Sequence, residues 1–157
     1  MLGSLIPARG AGRSGVIAAV VVATLLALAP ALPAQEAPFR VIVHARNPVA
    51  ALARDEVSRM FLKKVVAWEN GETVVPVDQA EEAEVRKSFS KRVLGKDVSA
   101  VKGYWQQAIF TGRGFPPVEK ASDAEVIAFV AGNTSAIGYV SATGALPATV
   151  RVLKVER

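Results

Sequence analysis

His44 is the only histidine in this 157-residue chain, and there is no cysteine. Zinc-type sites need three or four convergent ligands. His44 stands at the end of an apolar run with no second ligand in register, so it reads as structural and no metal site is expected. The nucleophile pattern Gly-x-Ser-x-Gly and the phosphate-cradling pattern Gly-x-x-x-x-Gly-Lys-Ser/Thr are both absent. Glu81, Glu82 and Glu84 form an acidic cluster, but it falls at a helix start, where the helix dipole alone accounts for it. The basic residues Arg86, Lys87, Lys91, Arg92 and Lys96 follow on the same helix. Opposite charges three and four residues apart support an exposed helix, so this cluster reads as a solvated face. These residues predict neither an enzyme nor a cofactor.

The elements that must carry these groups alternate between strand and helix patterns. Phe39–His44 is β-branched and apolar and is followed by the turn pair Asn47-Pro48, which predicts a first strand whose unbroken apolarity suits a buried, parallel position. Residues 52–64 place Val57, Met60 and Phe61 on one side, with Asp55 and Glu56 early and Lys63 and Lys64 late, as a helix requires. Asn70-Gly71 makes a turn into a short strand over 73–77, where Pro76 points to a strand end or edge. A helix over about 82–93 stops at Gly95, and Asp97 is placed to cap the next, whose apolar stripe is Val98, Val101, Trp105, Ala108 and Ile109. Residues 111–117 are a loop rich in glycine and proline. Ser122 and Glu125 then form a capping pair ahead of Val126, Phe129 and Val130. Residues 136–140 read as a buried strand and 149–155 as a half-exposed one. This order predicts a layered α/β domain around a mainly parallel sheet.

The chain opens with Arg9 and Arg13 and no acid, continues with an uncharged apolar run from Val16 to Leu32, and reaches Ala-Pro-Ala-Leu-Pro-Ala at 29–34. That is the pattern of an export signal. Cleavage is expected after Ala34, with Ala31 the second choice, leaving residues 35–157 as one domain of about 120 residues. A retained anchor is the alternative, but the run is short of the roughly 20 apolar residues that a membrane span needs and it contains Pro30. The whole chain has 19 basic and 14 acidic residues; without Arg9 and Arg13 the count is 17 against 14, a net charge of +3. So small a surplus argues against nucleic acid as a partner. The missing cysteines exclude disulfides and a lipid-modified cysteine at the mature N-terminus, so the expected product is a free soluble protein that works outside the cytoplasm.

Ordered blocks carry a family resemblance. They are Asn47-Pro48-Val49, Leu52-x-Arg54-Asp55-Glu56-Val57 leading to Met60-Phe61-Leu62, Trp68 with Asn70-Gly71, Val75-Pro76-Val77-Asp78, Arg86-x-x-Phe89, Val93-Leu94-Gly95, Tyr104-Trp105, Phe110-x-Gly112, Pro116-Pro117 and Ala136-Ile-Gly-Tyr-Val140. Together they resemble the phosphate-transport type of periplasmic substrate-binding proteins, in a short, single-lobe form. The resemblance implies a single three-layer domain like one lobe of a type II periplasmic binding protein. It also implies phosphate or another small oxyanion as ligand, and an ABC transporter permease or another periplasmic or membrane protein as partner. The ligand residues it implies are Asn47, Asp78, Gln79 and Arg86. In full-length members a Ser-Gly-Thr segment follows the acid at this strand end and would hold phosphate at a helix start. Here Asp78 is followed by Gln79-Ala80-Glu81-Glu82, and the two carboxylates oppose an anion. Two readings therefore stand side by side: a solute-binding module, or an accessory domain that kept the fold and lost the ligand. For Arg86 the choice is between an oxyanion and an ion pair with Glu82, one helical turn earlier.

Overall fold

The computed structural model describes residues 38–157; the export signal read over residues 1–34 and its cleavage site lie outside the described residues. Strand β1 (Phe39–His44) is followed by the short β2 (Ala51–Ala53), helix α1 (Arg54–Phe61) and β3 (Val75–Gln79). Helix α2 (Glu84–Phe89) runs on as one π-helical turn, Ser90–Leu94, and stops at Gly95, whose φ of 64° is left-handed. Then come α3 (Val98–Phe110), β4 (Val118–Lys120), α4 (Asp123–Ala131), β5 (Ala136–Ser141), β6 (Val150–Val152) and β7 (Lys154–Glu156).

Five strands form the main sheet in the order β4-β3-β5-β1-β6, and β2 pairs with β7 in a separate two-stranded sheet. β3 is parallel to β4 and β5, whereas β1 is antiparallel to β5 and β6. Four strands thus share one direction and the sheet is mainly parallel, but β1, expected to be parallel, runs against the rest. Its apolar run records that helices cover both faces. Direction leaves no such mark on the sequence.

Alternation along the strands divides the interior in two. Val41, Val43, Ile137 and Tyr139 face one side and pack with Val57 and Phe61 of α1, Phe89 of α2 and Trp105 of α3. Ile42, Val77 and Val140 face the other and pack under Val126 and Val130 of α4. This is the three-layer arrangement. On the first side Tyr139 lies flat on Phe89, with ring centroids 3.9 Å apart and planes 4° from parallel. On the second, Gly138 lets α4 approach, since a Cβ there would stand 2.7 Å from Val77 Cγ1 and 2.8 Å from Val126 Cγ1. Among the described residues, every member of both clusters lies between Phe39 and Val155.

Several boundaries differ from the sequence reading. The helix expected from Leu52 starts at Arg54, because Ala51–Ala53 pairs with β7 and buries Leu52. The last strand breaks at the buried Leu153, its first half joining β1 and its second β2. Asp97 occupies the N-cap of α3, yet its side chain accepts no capping hydrogen bond. Ser122 does cap α4, its Oγ accepting from the Glu125 amide at 3.3 Å, while the Glu125 carboxylate accepts from the Ala121 amide at 3.1 Å.

Candidate functional site

Three of the four expected ligand residues meet at the carboxyl end of β3. Asp78 and Gln79 are the last residues of that interior strand, and both are buried. The chain turns back through residues 80–83, closed by the Ala83 amide donating to the Ala80 carbonyl at 3.0 Å, and enters α2. That short return aims Arg86 at the strand end it has just left. The Arg86 guanidinium forms an ion pair with Asp78 Oδ2, and both side chains are 6% exposed. The internal partner of Arg86 is therefore Asp78 rather than Glu82. Its Nη1 also donates to the Gln79 carbonyl at 3.4 Å.

The other oxygen of Asp78 is satisfied from within as well. Its Oδ1 accepts from the Gln79 amide at 3.0 Å and from the Tyr139 hydroxyl. Gln79 Nε2 donates to Asp123 Oδ1 at 2.7 Å and to the Tyr139 carbonyl at 2.9 Å, and Asp123 Oδ2 accepts from the Ser141 amide at 3.1 Å. One polar network thus joins β3, α2, β5 and the start of α4. Burial lowers the pKa of Arg86, with the Tyr139 hydroxyl pulling it partly back. Burial raises the pKa of the Tyr139 phenol, and the Arg86 charge opposes that rise. Among the described residues, Arg86 Nε and Ser90 Oγ are buried without a partner.

The carboxylates that follow the strand are not gathered at this point. Glu81 pairs with Lys102 at 3.0 Å and Glu84 with Lys87 at 2.6 Å, while Glu82 is exposed. Asn47 is not brought to this end at all. Because β1 is reversed, with Val43 opposite Ile137 and Pro76 also opposite Ile137, the loop after β1 lies at the amino-terminal end of β3. There Asn47 is buried, its Oδ1 accepting from the Val49 amide at 3.0 Å and its carbonyl from Arg151 at 2.7 Å. His44 is likewise buried, its Nδ1 accepting from the Arg46 amide at 3.0 Å.

Tyr139 and Asp123 were missed as members of the network. The signal for Tyr139 was present: a phenol inside an otherwise apolar, buried strand needs a hydrogen-bond partner, and Asp78 is the acid at the neighbouring strand end. Nothing in the sequence ties Asp123 to Gln79, since that contact depends on α4 packing over the sheet.

No protein-family model matches the sequence, and no curated protein is significantly similar to it. Solved structures are similar in fold. An ABC-type phosphate transport receptor from Vibrio cholerae matches with a TM-score of 0.58 at 18% identity, over 75% of this chain and 46% of its own. A protein from Clostridium perfringens, assigned as a phosphate ABC transporter substrate-binding protein and solved with bound phosphate, matches with a TM-score of 0.57 at 20% identity, over 75% and 44%. PstS from Borrelia burgdorferi matches with a TM-score of 0.58 at 12% identity, over 75% and 47%. The chain spans less than half the length of each. At these identities the likeness is one of fold: this domain has the fold of one part of phosphate-transport binding proteins.

Proposed function

We propose that this chain is exported, is cut near Ala34, and acts in the periplasm through residues 35–157 as a non-catalytic accessory domain of the phosphate-transport solute-binding type. It works by contact with another periplasmic or membrane protein rather than by carrying a solute. The observation that carries this reading is the Asp78–Arg86 ion pair. The strand end where such a domain would seat an oxyanion is filled by the protein's own carboxylate, and Arg86, whose guanidinium is suited to grip an anion, is buried.

A second reading is favoured by the fold shared with the phosphate-bound Clostridium perfringens protein. In it the chain is a solute-binding protein for phosphate or another small oxyanion, with Asn47, Asp78, Gln79 and Arg86 as ligand residues and an ABC transporter permease as partner. Titrating inorganic phosphate into ¹⁵N-labelled protein from Gln35 onward separates the two. The accessory reading expects the amides of Gln79, Arg86 and Tyr139 to stay still at millimolar phosphate. A saturable shift at those amides establishes solute binding and rejects it.

A further inference from the structure

The small sheet made by β2 and β7 pairs Ala53 with Glu156. The residue that follows each strand is an arginine, Arg54 at the start of α1 and Arg157 after β7, and both line one cleft. The π-helical turn after α2 packs on α1 and supplies Lys91 and Arg92 to the same place. These four cations, with Ser58, line an open cleft of about 420 Å³, and Asp55 is the one acid among its lining residues. All four are exposed. None of them forms an ion pair among the described residues. Nearby, Lys87 is answered by Glu84 and Lys102 by Glu81. Here four basic side chains are gathered with one acidic side chain, Asp55, an arrangement that leaves a positive surplus and concentrates anions from solution.

We propose that this cleft binds a multiply charged phosphate group, either a phosphomonoester or a pyrophosphate. Arginine forks match phosphate oxygens in pairs. Helix α1 begins at the cleft, and its N-cap, Ala53, offers no side-chain acceptor, so the amides of the first turn face an anion without competition from a cap. A phosphate group brings roughly two negative charges in a compact volume, which balances the surplus of the cleft better than single carboxylates do. The space falls within the range of about 300–1,000 Å³ typical of small-ligand sites, enough for a phosphorylated headgroup. The cleft shares no residue with the Asp78–Arg86 network, so this inference stands apart from the accessory reading. Because the cleft is wet, its affinity falls as salt rises.

The test uses protein from Gln35 onward and two probes: free pyrophosphate, and phosphatidylcholine vesicles carrying phosphatidic acid. Pyrophosphate is expected to produce saturable amide shifts at Arg54, Ser58, Lys91 and Gly95 and none at Gln79. Arg54→Gln and Arg92→Gln each weaken binding roughly tenfold, the loss of about one charge-assisted contact. Arg113→Gln, an equal charge change on the loop after α3, leaves it unaltered. Circular dichroism checks that each variant is folded. Vesicle binding that pyrophosphate displaces and that the two cleft variants lose assigns the group to a lipid; pyrophosphate binding without vesicle binding assigns it to a free ester. The proposal is overturned if neither probe binds at millimolar concentration, or if Arg54→Gln and Arg92→Gln bind as the unaltered protein does.

Discussion

Arg86→Met isolates what the buried ion pair contributes. Methionine keeps most of the stem of the side chain while removing the charge. The Asp78 carboxylate, with a side chain 6% exposed, then keeps only the Gln79 amide and the Tyr139 hydroxyl. Breaking a buried pair from one side costs about 3–5 kcal/mol, because the remaining charge stays desolvated. Domains of this size lose several degrees of Tm per kcal/mol, so the expected fall is on the order of 10–20 °C. Asp78→Asn, which strands the guanidinium instead, is expected to cost a similar amount. Removing both charges together is expected to recover at least about 2 kcal/mol relative to the sum of the single variants, since neither charge is left behind. Urea unfolding read by the fluorescence of Trp68 and Trp105, 4% and 6% exposed, measures all three. If Arg86→Met costs less than about 1 kcal/mol, or if the two substitutions simply add, the network does not hold the strand end as described.

Two further outcomes follow from the same core. Tyr139 is ordinarily a group of pKa 10.0, raised here by burial, so above pH 10 the unfolded chain releases a proton that the folded one keeps. Its contribution to stability is therefore full below pH 10 and is lost as pH rises toward the raised value; folded wild-type and Tyr139→Phe protein should give the same phenolate absorbance up to pH 10, and a larger signal in the wild type there contradicts the burial. Gly138→Ala drives a methyl against Val77 and Val126 and is expected to cost about 1–3 kcal/mol, read by thermal unfolding; an unchanged Tm means α4 does not press on the sheet there.

The burial pattern of the fold was legible in the residues, and its pairings were less so. β1 and β5 were found because a covered strand is apolar throughout, and α4 because Ser122 and Glu125 mark its start. The direction of β1, the break at Leu153 and the pairing of Ala51–Ala53 with β7 depend on which strands meet, and residue type carries no record of that. The candidate site shows the same division. Asp78, Gln79 and Arg86 do converge, but the only internal partner the sequence offered for Arg86, beside an outside oxyanion, was Glu82, one turn back on the same helix. Helical spacing can only propose partners on its own helix. The true partner lies on the preceding strand and is reached through the turn over 80–83.

The same network bears on what this domain can do. A guanidinium that grips a solute must be kept free of internal carboxylates and yet be shielded from water, which two-lobed binding proteins can arrange by closing over the ligand. In this domain Asp78 neutralises Arg86 beneath the surface, and Tyr139, Gln79 and Asp123 tie that pair to β5 and α4. Shielding is then permanent and needs no second lobe. The cationic groups left for outside partners are those the fold does not pair, and Arg54, Lys91, Arg92 and Arg157 are the set it gathers in one cleft. If the strand end is closed and the cleft binds phosphate groups, variants at Arg86 and Arg54 should separate cleanly. The first lowers stability without touching pyrophosphate affinity; the second does the reverse.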